Sequence, residues 1–294
     1  MVEEIKTILS KKAAEIDETL EEIMDIQGSV SETLVEAMQY TLFAGGKRVR
    51  PVLTLMVAEM IGGDQKIARK VGSAIELIHT YSLIHDDLPS MDDDKYRRGE
   101  LTNHNVFGCG KAILAGDALL TYAFNLVSRL DFSSKNLIKI IEIISEGAGL
   151  QGMVGGQVLD LEGEEKNLDA EELKLVHNHK TGALFRSSIL AGAYCGNPNQ
   201  EEIEALTKFS YHLGLLFQIV DDILDVIGDK EKLGKSVGQD DVLNKSTYPK
   251  IMGLEKAEKE AQIQAEQACD ALTIFKKDAD DLKLLVDFVL NRQS

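Results

Sequence analysis

Tryptophan is absent from the 294 residues, cysteine occurs three times, proline four times, and aromatic residues make up 5% of the chain. So few aromatics and turn-forming prolines argue against a sandwich or barrel of many short strands. Cys109, Cys195 and Cys269 are far apart, odd in number and without a Cys-x-x-Cys pair. That spacing excludes a disulfide scaffold and a structural zinc site, and it points to a reducing compartment. No apolar run reaches the roughly 18 residues of a membrane span. The first ten residues mix Glu and Lys with single apolar residues, unlike a signal peptide. A cytoplasmic location is expected. Positive charge is also scarce: 32 Lys and Arg against 49 Asp and Glu leave a net charge of -17, which repels nucleic acid and anionic membranes. Neither a nucleic-acid partner nor stable membrane insertion is expected. G-x-x-x-x-G-K-[ST] does not occur, and the one G-x-G-x-x-G, at 147–152, follows helix spacing rather than a strand pattern, so a nucleotide is not indicated.

What the chain does have is helical periodicity. Val2, Ile5, Ile8, Leu9, Ile16, Leu20, Ile23 and Met24 recur at spacings near three, four and seven, and Leu282, Leu285, Val286, Val289 and Leu290 repeat the pattern near the other end. Between them, segments 69–88, 111–130, 137–161 and 203–227 carry the same spacing, and 74–78 and 213–220 are apolar nearly all round. Helices of that second kind belong at the centre of a bundle, with one-sided helices outside. No run alternates at period two and no Asn-Gly hairpin appears. The expectation is an all-α fold: a single domain over 1–294, a bundle of about ten or more helices around a central apolar cavity.

Two acidic clusters follow strongly apolar helices: Asp86 and Asp87 with Asp92 to Asp94, and Asp221, Asp222 and Asp225. A carboxylate at a helix C-terminus opposes the macrodipole at a cost of about 0.3–1 kcal/mol, so several together call for a bound cation. Asp221 and Asp225, four apart, share one helix face. With no His or Cys beside them, oxygen ligands of this kind suit Mg²⁺, which takes one or two carboxylates and substrate phosphates. Asp86 and Asp92 stand about 240° apart on an ideal helix. Pro89 disfavours helical geometry at Leu88, which predicts a turn that brings Asp92 back.

The scarce cations sit beside these clusters. Gly45-Gly46-Lys47-Arg48-Val49-Arg50 packs three behind a diglycine, Arg97-Arg98-Gly99 follows the first cluster, and Lys235 and Lys245 follow the second. Arg and Lys suit phosphate oxygens. An apolar bundle with metal and cation clamps at its mouth fits a diphosphate with a greasy tail.

These motifs, in this order and over nearly the whole chain, resemble the trans-isoprenyl diphosphate synthase family, and within it the bacterial members that make farnesyl diphosphate. The resemblance rests on Gly-Gly-Lys-Arg-x-Arg-Pro at 45–51, the Asp motif at 86–92, Arg97-Arg98-Gly99, Lys180-Thr181-Gly182, Phe217-Gln218-x-x-Asp-Asp-x-x-Asp ending at Asp225, Gly234-Lys235 and Lys245-Ser246-Thr247-Tyr248-Pro249. It implies a prenyltransferase with isoprenyl diphosphates as small-molecule partners, three Mg²⁺ ions (Mn²⁺ as a substitute) and a homodimer. It implies that Asp86, Asp87, Asp92, Asp221, Asp222 and Asp225 hold the metal. Arg97, Lys180, Lys235 and Lys245 would contact the allylic diphosphate, and Lys47, Arg50, His79 and Arg98 the isopentenyl diphosphate. Lys180, Thr181 and Gln218 would face the allylic carbons, with their oxygens stabilising positive charge. Spacing agrees, since His79 lies two turns before Asp86 and Gln218 one turn before Asp221.

Tyr81 and Ser82 lie about 6–8 Å down the helix from Asp86, where a growing tail must pass. In this family an aromatic at that level is associated with stopping at C15. Geranylgeranyl or longer-chain synthesis is the nearest alternative. A terpene cyclase would not need Lys47 and Arg50, and a non-catalytic synthase subunit would be expected to have eroded Asp motifs. Gln157 and Asp160 admit pocket-lining and helix-packing readings equally.

Overall fold

Apolar spacing and an almost proline-free interior are expressed as helices throughout. The computed structural model describes residues 2–164, 166, 168–227 and 246–292, and these are helical apart from turns and one two-stranded ribbon. Two long helices carry the acidic clusters: α4 (Gln65–Asp86) and α11 (Gln200–Ile227). Helix α4 starts on Asp64, whose side chain accepts hydrogen bonds from the backbone N–H groups of Lys66 and Ile67 at 2.8 and 3.1 Å. Val71, Ala74, Ile75, Leu77 and Ile78 bury it on every side, against α3 (Val49–Met60) and α6 (Cys109–Ser128). Helix α11 buries Phe209, Leu213, Leu216 and Ile219 against α10 (Ala183–Tyr194) and α13 (Leu254–Ala271). Each such side chain contributes about 1.5–3 kcal/mol when fully buried.

Helices α3 and α10 stand between these two and supply both cores. Leu53 and Phe185 pack with the α11 side, Leu55 and Leu184 with the α4 side. They approach closely because Gly192 lacks a Cβ, which would lie 2.6 Å from the Thr54 carbonyl oxygen. Thr54 Oγ1 also donates to the Ser188 carbonyl at 3.0 Å.

The turn that delivers the central side chains is unusual. Helix α9 (Ala170–His177) runs without a break through a π-helical turn, Asn178–Gly182, into α10. Such widened turns recur at functional sites. It is gripped by glycines: a Cβ on Gly156 of α8 (Met153–Glu164) would lie 2.1 Å from the Lys180 backbone nitrogen, and one on Gly214 would lie 3.1 Å from Gly182 Cα.

Two sequence expectations need correction. The segment 137–161 is not one helix but α7 (Ser134–Ala148) and α8, parted where Gly149 and Gly152 interrupt the ladder. A hairpin does exist: Tyr96–Arg97 pairs antiparallel with Glu100–Leu101. Arg98 (φ 56°) and Gly99 (φ 87°) form its turn, so an arginine occupies the left-handed position where asparagine is common. The remaining elements, α1 (Val2–Met24), α2 (Glu32–Leu42), α5 (Asn103–Phe107), α12 (Tyr248–Met252) and α14 (Asp280–Asn291), wrap this centre.

Candidate active site

Helix α4 ends at Asp86, and the chain then turns as the proline requires. The Asp92 N–H donates to the Asp86 carbonyl at 2.9 Å, and those of Met91 and Asp93 to the Leu88 carbonyl at 2.9 and 3.1 Å. Asp92 is thereby returned to Asp86. Burial pushes the Asp86 carboxyl up to about 6; Lys180 pulls it down and Asp92 pushes it further up. Asp87 is only 1% exposed and is engaged by Arg97, with Nε and Nη2 at 2.7 and 2.6 Å from Oδ1. Burial still leaves its pKa raised.

On α11 the three carboxylates have separate surroundings. Asp221, whose side chain is 37% exposed, accepts a hydrogen bond from Arg292 Nη2 at 2.7 Å. The same guanidinium donates to the Phe217 carbonyl at 2.9 Å and lies over the Phe217 ring at 4.1 Å. Asp222 is buried and accepts from Gln218 Nε2 and from the Tyr248 backbone N–H, both at 3.0 Å. Asp225 is buried as well.

The π turn stands between these clusters. Lys180 Nζ lies 2.5 Å from Asp160 Oδ2. Burial works against its charge, but Asp160, Asp86 and Asp92 outweigh that and raise its pKa. The next residue, Thr181, donates from Oγ1 to Gln218 Oε1 at 3.1 Å, one turn before Asp221. Asp86 and Asp92 therefore act on Lys180, while its neighbour Thr181 meets the helix that carries Asp221.

Beside them is a cavity of about 440 Å³ lined by Lys47, Arg48, Arg50, Glu76, His79, Arg98 and Phe217 among others. Burial lowers Arg50 to about 10 and, with Arg50 and Arg98 nearby, holds His79 well below its ordinary value, so its imidazole is neutral. Arg50 Nη1 lies 3.4 Å from His79 Nε2. Arg98 reaches the Gly45 carbonyl across Gly46, where a Cβ would lie 2.8 Å from the Arg98 guanidinium nitrogens. Arg48 plays a different part. Buried and left-handed at φ 48°, it donates to Glu76 at 2.9 Å, Asp17 at 2.8 Å and the Leu42 carbonyl at 2.8 Å. It fixes the loop that carries Lys47 and the start of α3, which carries Arg50. A surplus of cations in a half-open cavity selects an anion.

Tyr81 is buried one turn below Asp86, with its ring edge-on to His85 at 5.7 Å. Burial and then Asp86 push its hydroxyl up to about 12. Ser82 Oγ donates to the His79 carbonyl at 2.8 Å. Lys235 and Lys245 lie outside the described residues.

Sequence reasoning missed Arg292 and Glu76, which no motif announces, and left Asp160 undecided. The structure places Asp160 against Lys180. Asp86, Asp92 and Asp221 offer hard oxygen donors of the kind Mg²⁺ takes. Among the described residues no three acidic, His or Cys side chains converge to enclose an ion alone. Mg²⁺ commonly keeps water and phosphate oxygens in its shell, and a cation beside Asp86 would oppose the burial that pushes its carboxyl up.

Residues 31–287 match the family model described as polyprenyl synthetase. The chain is 47% identical over 262 residues to a farnesyl diphosphate synthase of Geobacillus stearothermophilus, covering 88% of each chain. It is 42% identical over 267 residues to a geranylgeranyl diphosphate synthase of Cyanophora paradoxa, covering 89% of this chain and 88% of that one. A solved geranylgeranyl pyrophosphate synthetase from Pyrococcus horikoshii superposes with a TM-score of 0.89 at 35% identity, covering 99% of both chains.

The Asp86 environment has a measurable consequence. Because its folded pKa is raised to about 6, the folded protein holds this proton more tightly than the unfolded chain. Stability is therefore lost as pH rises from near 4 through 6, and ionised Asp86 costs about 1–3 kcal/mol at pH 7.5. In ligand-free protein, Asp86→Asn should raise the melting temperature at pH 7.5 by roughly 2–6 °C. The gain should vanish at pH 4.5. A variant that melts lower than the parent at pH 7.5 would contradict the assigned environment.

Proposed function

The chain belongs to the polyprenyl synthetase family, a family of trans-prenyltransferases, and on that premise we propose that it joins isopentenyl diphosphate head-to-tail to dimethylallyl or geranyl diphosphate, giving mainly farnesyl diphosphate. The observation that carries this reading is that Asp86 and Asp92 act on Lys180 while Thr181 meets Gln218, one turn before Asp221, beside a cation-lined cavity whose Arg50 feels Asp221. In this reading Lys47, Arg50, His79 and Arg98 hold isopentenyl diphosphate. Neutral His79 contributes a hydrogen bond where a further positive charge would repel its neighbours. Arg97 and Lys180 hold the allylic diphosphate, with Lys235 and Lys245 completing that clamp. Asp86, Asp92 and Asp221 are the carboxylates proposed to carry Mg²⁺. Asp87 and Asp222 also serve Arg97 and Gln218, and Asp225 shares the helix face of Asp221.

Mg²⁺ bound there supplies Lewis acidity toward the leaving diphosphate. The protein's own groups do the rest. Lys180 and Arg97 neutralise charge as the allylic C–O bond breaks and its electron pair leaves with the diphosphate. The Thr181 and Gln218 oxygens face the resulting allylic cation. The isopentenyl double bond attacks it, and the proton lost in forming the new double bond goes to the departing diphosphate, so no side-chain base is needed.

Relatives are named for both farnesyl and geranylgeranyl products. Buried Tyr81, filling the space below Asp86, supports the shorter one. We place the enzyme in the cytosol, since no described helix is long and apolar enough to cross a membrane. We also read it as a homodimer. Val106, Ile113 and Leu114 leave an apolar patch exposed around the start of α6, which a second copy would cover.

Purified protein with Mg²⁺, isopentenyl diphosphate and either starter should yield C15 alcohol after dephosphorylation and chromatography. Absence of any condensation product would end the reading, and a dominant C20 peak would end its chain-length part. Tyr81→Ala should lengthen the product to C20 or beyond, and Ser82→Phe should shorten it to C10. An unchanged distribution in both would remove Tyr81 from the argument. For the dimer, Leu114→Glu should convert a two-chain species to a one-chain species in light scattering. A monomeric parent protein would refute the patch assignment.

A further inference from the structure

Gln218 has two chemically different ends, and which one faces Thr181 matters. A carboxylate only accepts hydrogen bonds. Asp222 Oδ1, 3.0 Å from Gln218 Nε2, therefore fixes the NH₂ group on its own side. The carbonyl oxygen is then turned to Thr181, which donates to it at 3.1 Å. Asp222 is itself held. Its other oxygen accepts the Tyr248 backbone N–H at 3.0 Å and lies 3.5 Å from His177 Nε2. The His177 ring stacks on the Tyr248 ring at 5.7 Å with an interplanar angle of 26°, and its Nε2 is buried with no nearer hydrogen-bond partner. His177 is the last residue of α9, immediately before the π turn that carries Lys180 and Thr181. The arrangement thus links that turn to the helix bearing Gln218 through one buried carboxylate.

We propose that Asp222 is a positioning residue rather than a metal ligand: anchored by the Tyr248 N–H and faced by the His177 ring, it sets the Gln218 amide so that its oxygen, and not its NH₂ group, points with Thr181 at the reacting carbons. This rests on the prenyl-transfer reading. Replacing the carboxylate by an amide would offer Gln218 a donor and let its side chain turn over, presenting an N–H dipole of the wrong sign to a developing cation.

Asp222→Asn, Gln218→Ala and the double variant test this by steady-state kinetics. Asp222→Asn should lower kcat by about 10- to 100-fold, as misplacement of a group at a reacting centre does. Both KM values and the Mg²⁺ concentration for half-maximal rate should stay within about twofold. The double variant should be no slower than Gln218→Ala alone, because Asp222 acts through Gln218. A raised Mg²⁺ requirement in Asp222→Asn would make it a metal ligand, and losses that multiply in the double variant would make it independent of Gln218; either overturns the proposal. A measurement without substrate separates this from failure of the enzymatic reading. In the ¹H–¹⁵N spectrum of ligand-free wild-type protein, the Gln218 side-chain NH₂ should exchange slowly with solvent. Rapid exchange would overturn the proposal whatever reaction the protein performs, and whether or not Asp222→Asn folds.

Discussion

Compensation of buried carboxylates by a small number of cations is the constraint on which this molecule turns. A chain of net charge -17 places acidic side chains at the C-terminal ends of apolar helices, where the macrodipole opposes them. Most of those at the centre have a partner: Asp87 with Arg97, Asp160 with Lys180, Asp221 with Arg292, and Glu76 with Arg48. Breaking one such buried pair leaves an uncompensated charge, so each fixes the side chains it joins. Asp86 is left short. Burial pushes its carboxyl up, Asp92, returned beside it by the turn after Pro89, pushes it further, and Lys180, already drawn to Asp160, offsets only part of this. A cation beside Asp86 would favour the ionised form.

Geometry is held by backbone contact as much as by charge. The π turn is pressed between Gly156 and Gly214 with no space for a methyl group on its α8 side. Lys180 and Thr181 thus issue from a segment that cannot slide along either neighbour. Gly192 does the same for the crossing of α3 and α10, which fixes the base from which Arg50 enters the anion cavity. The glycines show why tight packing and precise charge placement come together: a group within reach of two clusters must be anchored to better than the length of one hydrogen bond.

Local regularities were legible in the sequence and partner choices were not. Periodicity located α4 and α11 because each buries several turns. Pro89 foretold the return of Asp92 because its effect on Leu88 is local. The glycines between α7 and α8 were visible, yet the apolar pattern continues across them and hid the break. Arg98 in a left-handed turn could not be read, because nothing local favours arginine there; its contact with the Gly45 loop does. Asp221 and Asp222 are adjacent and of one residue type, yet one meets Arg292 and the other Tyr248. Only the tertiary fold assigns those partners, so a spacing argument that treated the three aspartates of α11 alike had no means to separate them.

The two halves of the site titrate at opposite ends of the pH scale, and this follows from burial acting on groups of opposite sign. Desolvation disfavours charge on either kind of group. It lifts Asp86 to about 6 and brings Arg50 down to about 10, and it drives His79 to its neutral form. Between those limits Asp86 and Arg50 both carry their charge, while the His79 imidazole keeps a hydrogen bond without adding repulsion. A metal bound at Asp86 extends the lower limit further down, since an adjacent cation favours the ionised carboxylate. The width of that range is thus set by how deeply the two groups are buried.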